Sequence, residues 1–387
     1  MNPRHVCHVL TVSDSLIFID TLVRQTLERG FEVTVVTSPH QALREFGRRH
    51  NVRTVGIEMP RRMTPLGDFG AMSRLHQLFE ALRPGIVHAH TPKGGLLGTL
   101  AAQAARVPVR LYHMRGLPFV TLRGTMRAVL QGTERVSCSA ATRVICQSES
   151  LRRTALEHHL VPEEKCEVVL RGSNGVDCDE RFEPSRHVEA GRALRQRLGI
   201  SQSAVVLGFV GRLVRDKGVP ELALAFELLS RRFPDVVLLL AGPYEERDPV
   251  DAETRRRLES NPRVHLLGFV RDPAPVYAAS DVVVLPSHRE GFPNVPLEAA
   301  SMGRPVVSTL VPGCVDAVED GVTGTLVPVD DAGRLEGALA RYVLDPGLRS
   351  AHGSAGRARI ERHFRRADVA RALVQVYERE TARVAGI

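Results

Sequence analysis

Tryptophan is absent from this 387-residue chain, and aromatic residues together make up only 5% of it. Proteins that hold single-stranded nucleic acid stack bases on aromatic faces, so a nucleic-acid partner is not expected. No apolar run approaches the roughly 18 residues a transmembrane helix requires; the longest, 236–242, has the length of a strand. The opening residues, MNPRH, have no charged head leading into an apolar core, so no secretory signal is expected. Cysteine is sparse: six residues, scattered singly, with no CxxC spacing. That argues against a zinc site or a disulfide framework and suits reduced thiols in a cytosol. Lysine is scarcer still, with three residues (Lys93, Lys165 and Lys217) against 49 arginines.

What is present describes an ordinary globular protein. Hydrophobic residues make 43% and charged residues 25%, which excludes a disordered or collagen-like chain. The length suits two domains of roughly 180–200 residues. Net charge is +8; residues 1–185 hold 24 basic and 18 acidic side chains, so most of the excess lies in the first half. A basic half suits an anionic surface or a phosphorylated substrate, or serves solubility alone. Two of the three lysines stand in glycine-flanked segments, TPKGG and RDKGV. In a chain that otherwise uses arginine, a lysine there suggests a compact point charge for phosphate.

Short β-branched runs alternate with helical spacing through both halves. HVCHVLTV, FEVTVVTS, VRTVGI, IVHAH, VRLYH, RVICQ and EVVL read as strands in the first half. VVLGFVG, VVLLLAG, RVHLLG, DVVVLP, RPVVST and TGTLVPV read as strands in the second, and the pattern after Asp330 is mostly helical. Such alternation implies right-handed crossovers and parallel sheets covered on both faces. The polar, aperiodic RGSNGVDCDERFEPSRH places the domain boundary within 174–184. The expected architecture is therefore α/β: two Rossmann-like, doubly wound domains, with ligands at the carboxyl ends of both sheets in a central cleft.

Two constellations carry chemistry. In GFVGRLVRDKGVPEL, 208–222, a strand ends at Gly211, a loop carries Arg212 and Lys217, and a helix opens near Val219. Two cations beside a helix N-terminus suit a diphosphate; a solvated basic loop is the plainer alternative. The GxxxxGK[ST] order of a Walker loop is absent. In DVVVLPSHREGFPNVPLEAASMGRPVVST, 281–309, Glu290 lies in a loop, Pro296 opens a helix with Glu298 in its first turn, and Gly303 ends it. The two carboxylates are expected to reach one site from different elements, where they suit vicinal hydroxyls of a sugar. Backbone N–H groups near Asn294 and Val295 would face an anion.

RLVRDKG followed by EGFPNVPLE, with DVVVLPS before it and GRPVVST and DGVTGTLV after it, resembles glycosyltransferase family 4. HTPKGGLLG, RGLPF and GSNGVD resemble its capsular- and exopolysaccharide-type branch. The resemblance spans nearly the whole chain. It implies a GT-B fold, with an acceptor-binding domain over 1–180, a donor-binding domain over 181–365, and a last helix, about 367–382, returning to the first domain. It also implies a retaining, metal-independent hexosyltransferase with no cofactor beyond its nucleotide-diphosphate sugar, of which a UDP-sugar is the expected kind. By motif position, Gly211, Arg212 and Lys217 would hold the diphosphate, Gly268 and Val270 the base, and Glu290 with Gly291, Phe292, Pro293, Asn294 and Val295 the transferred sugar and phosphate. Glu298 would hold the ribose.

The sequence departs from that pattern in two places. Ser13 and Ser15, in VSDSL, replace a glycine pair in the first strand–helix loop. Arg115 stands where relatives carry a histidine, with His113 two residues earlier on the same strand face. Ser13, Ser15, Lys93 and Arg115 are the acceptor-side candidates, and His113 or Arg115 the candidates for relaying a proton. The expected acceptor is a saccharide on a lipid carrier at the inner face of the plasma membrane. Segments 60–66 and 119–136 are candidate contacts with anionic lipid, the latter with Arg123, Arg127 and Arg135 among Leu122, Met126, Val129 and Leu130; an ordinary surface helix is the alternative. Other readings are a soluble small-molecule acceptor, a nucleotide-sugar epimerase, and a glycoside hydrolase using Glu290 and Glu298. The hydrolase leaves the Arg212–Lys217 loop without a purpose.

Overall fold

The computed structural model describes residues 2–60, 64–246 and 248–386. It divides into two compact units, residues 1–174 with 366–387, and residues 175–365.

The first unit is built on seven parallel strands. They are β1 (Asn2–Val9), β2 (Glu32–Thr37), β3 (Arg53–Gly56), β4 (Pro84–His90), β5 (Val109–Met114), β6 (Arg143–Cys146) and β7 (Cys166–Glu167). Their order, β3-β2-β1-β4-β5-β6-β7, reverses between β1 and β4. Every residue of β4 is buried, as the near-continuous apolar runs require of a sheet covered on both faces. One face packs Cys7, Val9, Val87 and Ala89 under the helices Pro65–Leu82 and Pro92–Ala104. The other packs Val6, Ile86, Leu111 and Ile145 under the C-terminal helix Arg366–Ala385, through Val369, Leu373, Val374 and Tyr377.

The second unit carries six parallel strands: β8 (Val205–Val210), β9 (Val236–Ala241), β10 (Val264–Gly268), β11 (Val282–Leu285), β12 (Val306–Thr309) and β13 (Gly324–Val327). Their order is β10-β9-β8-β11-β12-β13, with the reversal between β8 and β11. The helix Val219–Arg232 buries Leu222, Ala225, Phe226 and Leu229, the face its spacing predicts, against Leu207, Leu238 and Val284.

The units part at Asn174/Gly175, inside the expected window of 174–184 in the aperiodic segment. Two details differ from expectation. The remainder of that segment is not a solvated linker, because Val176, Cys178 and Phe182 are buried in the second unit's core. EVVL forms a strand only at its first residue, Glu167, which follows Cys166 in the short β7 and pairs with Ile145 of β6; Leu170, at its end, takes a left-handed φ of 54°.

Candidate active site

In open α/β sheets, ligands gather at the carboxyl ends of the strands where the strand order reverses. In the second unit that place lies between β8 and β11, and two loops meet there. The first leaves β8, makes a tight turn over Arg215–Lys217, and enters the helix at Val219. Gly218 joins the two with φ +68°, and a methyl group on it would strike the Pro286 carbonyl of the second loop. Glycine is needed there for both the backbone conformation and the close approach.

Lys217 Nζ donates to Glu290 Oε1 at 2.5 Å, with both side chains largely buried. The structure thus joins the two residues chosen for opposite halves of a nucleotide sugar. Arg212 turns elsewhere, donating to Glu245 Oε2 at 2.7 Å from a side chain 44% exposed. Gly291, Phe292 and Pro293 are buried and hold the loop from beneath; Phe292 stacks at a tilt on Phe364, 5.6 Å between centroids. The following helix is Asn294–Ser301. It begins two residues before Pro296, so Glu298 lies in its second turn and is not a first-turn dipole contact. No side chain caps this helix at Pro293, and Asn294 Oδ1 is buried without a hydrogen-bond partner. Glu298 Oε2 accepts from the buried Tyr277 hydroxyl at 2.7 Å. Gly268 is the last residue of β10, with φ +64°, and Val270 is partly buried beyond it.

In the first unit, the face that is aliphatic at its base turns to histidine at its carboxyl end. Val6 is followed by His8, Ile86 by His88 and His90, and Leu111 by His113, each two residues on. Parallel pairing sets His8 beside His88 and His90 beside His113. All four are buried. Burial holds His8 neutral, with its pKa lowered to about 3, and also lowers His88, His90 and His113, with neighbouring Arg115 adding to the effect. His88 Nδ1 meets the Tyr377 hydroxyl at 2.7 Å, His113 Nδ1 meets His88 Nε2 at 3.3 Å, and His8 Nδ1 meets His90 Nε2 at 3.1 Å.

Arg115 is not poised to receive an anion. It donates to Gln147 Oε1 at 3.2 Å, to His90 Nδ1 at 3.2 Å and to Asn174 Oδ1, and lies over the Phe18 ring at 5.1 Å. Desolvation lowers its pKa to about 9, so it stays charged at neutral pH. Lys93 is likewise engaged. It sits in the first turn of the helix Pro92–Ala104, not in a loop, and pairs with Asp68 Oδ1 at 2.6 Å while donating to the Pro60 carbonyl at 2.5 Å. Ser13 and Ser15 are nearly buried in the 3-10 turn Ser13–Phe18.

The segment over 119–136 is a short 3-10 turn followed by the helix Gly124–Ala140. Its first half is open to solvent, with Leu122, Met126 and Val129 exposed, while Leu130 packs inward. Leu66 and Phe69, at the start of Pro65–Leu82, are 92% and 68% exposed. Residues 61–63 of the other candidate lipid contact lie outside the described residues.

Among the described residues, two groups bring three histidine or carboxylate atoms within 4.8 Å of one another: the buried His8/His88/His90, and Glu221/His288/Asp330, in which Asp330 is exposed and His288 Nε2 lies against both carboxylates as an ion pair. In the first, Arg115 donates to His90 Nδ1, which leaves the proton on Nε2, the nitrogen facing His8. Metal-bound histidines have the opposite second shell, donating their far nitrogen to an acceptor.

Of the histidine ladder the sequence reading names His113 alone; His8, His88 and His90, like Tyr277 and Glu245, it does not. The ladder was legible in part, since His88 and His90 stand two apart in IVHAH, and His8 and His113 each stand two residues beyond an apolar residue, Val6 and Leu111, on one strand face. Tyr277 and Glu245 lie on elements remote in the chain from Glu298 and Arg212 and give no local signal.

Comparison with known proteins bears on the family and the fold. A glycosyl transferase 4-like domain matches residues 18–172, and a domain of glycosyl transferases group 1 matches residues 204–345. The capsular polysaccharide biosynthesis glycosyltransferase CapM of Staphylococcus aureus is 32% identical over 365 residues, covering 94% of each chain. An Escherichia coli UDP-Gal:alpha-D-GlcNAc-diphosphoundecaprenol alpha-1,3-galactosyltransferase is 29% identical over 291 residues, 74% of each chain. Among solved structures, Anabaena HepE in complex with UDP and glucose superposes with a TM-score of 0.79 at 22% identity, over 97% of this chain and 100% of that one. The chain belongs to the family 4-type glycosyltransferases. Its fold is GT-B and by class it is a hexosyltransferase.

Proposed function

We propose that the second unit holds a nucleotide-diphosphate sugar, a UDP-sugar in the first instance, and that the enzyme transfers the sugar with retention to a lipid-linked saccharide during assembly of a cell-surface polysaccharide. The Lys217–Glu290 contact at the β8/β11 switch point carries this reading. As the sugar–phosphate bond breaks, negative charge grows on the leaving diphosphate. Lys217, Arg212 and the uncapped amides at Asn294 stabilise that charge without a metal. Glu290 orients the sugar hydroxyls, and Glu298, held by Tyr277, orients the ribose. Both cations are paired with acids in the free protein, so the arriving diphosphate replaces Glu290 on Lys217 and Glu245 on Arg212. Attack from the leaving-group face lets the departing phosphate take the acceptor's proton, and no separate base is required.

The first unit serves the acceptor and the membrane. No described helix is long and apolar enough to cross a bilayer. Exposed Leu66 and Phe69 on one helix, and exposed Met126 and Val129 on another with Arg123 and Arg127 next to them in the chain, suit an interfacial contact with anionic lipid at the cytoplasmic face. The names of two relatives, one a capsular enzyme and the other acting on a diphosphoundecaprenol-linked sugar, support the same acceptor class.

The test is a panel of UDP- and other nucleotide sugars offered to the purified enzyme in EDTA with polyprenyl-diphosphate-linked saccharides. The expected outcome is release of UDP together with a glycosylated lipid whose anomeric configuration matches the donor. Transfer that requires added metal, or that inverts the configuration, overturns the mechanism. Transfer to soluble acceptors alone overturns the lipid-linked assignment.

A further inference from the structure

The two loops at the β8/β11 switch point are joined at more than one place. Three consecutive residues of the second loop, His288, Arg289 and Glu290, each meet an opposite charge on the first loop or the helix it enters. Arg289 donates to Asp216 Oδ2 at 2.8 Å, and Glu290 accepts from Lys217 at 2.5 Å. His288 Nε2 lies 3.3 Å from Glu221 Oε2, in the first turn of Val219–Arg232, and 3.5 Å from Asp330 Oδ1, just beyond β13. The His288 amide also donates to the Asp216 carbonyl at 3.0 Å. The second loop is thus fastened by three consecutive contacts between opposite charges, one of them made by an imidazole, the side chain whose ordinary pKa lies nearest neutrality.

We propose that His288 is a positioning residue for the donor site, an imidazolium clamped between Glu221 and Asp330 that holds the Glu290 loop against the Lys217 loop and releases it when the ring loses its proton. This rests on the reading that Lys217 and Glu290 bind the donor. The groups facing the ring are Glu221 on the helix, Asp330 after β13 and Asp216 on the tight turn, with Arg215 nearby acting on Glu221. Glu221 chiefly, then Asp330 and Asp216, raise the His288 pKa above 6.5 in spite of burial. The clamp is therefore complete below pH 6.5 and is lost as pH rises through the raised value. Burial is the largest single influence on Glu221 and opposes its ionising, but His288, the backbone amide of Glu221 itself and Arg215 together hold the carboxyl below its usual range.

The experiment compares UDP affinity by calorimetry between pH 6 and 9 for the wild type, His288→Gln and His288→Arg, with donor KM and kcat measured alongside. The ionisation of UDP itself affects all three proteins alike and cancels. The wild type is expected to lose about three- to tenfold in affinity as pH rises, a change carried by KM and not kcat. His288→Gln should bind weakly with no such change, and His288→Arg tightly with none. The same pH dependence in wild type and His288→Gln overturns the proposal. In parallel, the imidazole NMR signal missing from His288→Gln is titrated in the free wild type. A midpoint above 6.5 that falls in Glu221→Gln supports the clamp, and one at or below 6.5 overturns it. If UDP binds none of the three proteins, the donor reading fails, and the ring titration alone decides the clamp.

Discussion

Lys217 and Glu290 show why a paired charge cannot be judged by stability alone. Removing the lysine leaves a largely buried carboxylate without its partner, at a cost of about 1–3 kcal/mol. Lys217→Ala should therefore melt a few degrees lower and transfer sugar about 100- to 1000-fold more slowly. Lys217→Ala/Glu290→Ala should regain most of the melting temperature and none of the rate, which separates the pair's structural part from its chemical one. Tyr277→Phe tests the neighbouring carboxylate. It removes one hydrogen bond to Glu298 and keeps the ring in its core. A loss of about 1 kcal/mol predicts a roughly fivefold rise in donor KM with kcat little changed. Lys93 is the contrast. Its partner is Asp68, so Lys93→Ala should lower the melting temperature while leaving kcat/KM for both substrates within about twofold.

At the scale of elements, the helix Gly124–Ala140 has two halves in different surroundings. Its first half exposes Met126 and Val129, and its second half buries Glu134 against β5. The Glu134 carboxyl accepts from the Tyr112 hydroxyl at 2.6 Å, and burial raises its pKa to about 7. In the unfolded chain the same group titrates near its ordinary value of 4.5. Between these values the folded state binds a proton that the unfolded state has lost, so stability falls as pH rises from about 4.5 to about 7 and is level beyond. Glu134→Gln keeps an acceptor for Tyr112 without the titration. It should be more stable than the wild type at pH 8 by on the order of 1–3 kcal/mol, with the difference vanishing near pH 4.5, as chemical denaturation at both pH values will show. Substituting Met126 and Val129 by serine touches the other half. It should abolish cosedimentation with anionic liposomes and leave the melting temperature unchanged, and unaltered lipid binding would remove this helix from the membrane face.

For the whole molecule, the first unit is discontinuous, because its core needs Val369, Leu373, Val374 and Tyr377 from the far end of the chain. Residues 175–365 are continuous and enclose their own core. Expressed alone, 175–365 should fold cooperatively and bind UDP, whereas 1–174 should fold only when residues 366–387 are supplied. Circular dichroism melts and calorimetry distinguish these outcomes.

The sequence by itself determined the strands, the tandem α/β plan and the loops that carry Lys217 and Glu290, because these depend on local periodicity and on turn residues next to one another in the chain. The helix after the Glu290 loop was legible to within two residues; its true start at Asn294 follows from backbone geometry that Pro296 obscured. Tertiary structure alone decided which charges are occupied. Arg115, Lys93 and Arg212 resemble one another in sequence as cations near glycine. Only the folded chain sets Gln147, His90 and Asn174 around the first, Asp68 beside the second and Glu245 beside the third. A cation's role depends on which acceptors lie within about 3 Å of it, and those acceptors come from residues distant in the chain, whose arrival depends on strand order and helix packing and leaves no trace in the local sequence.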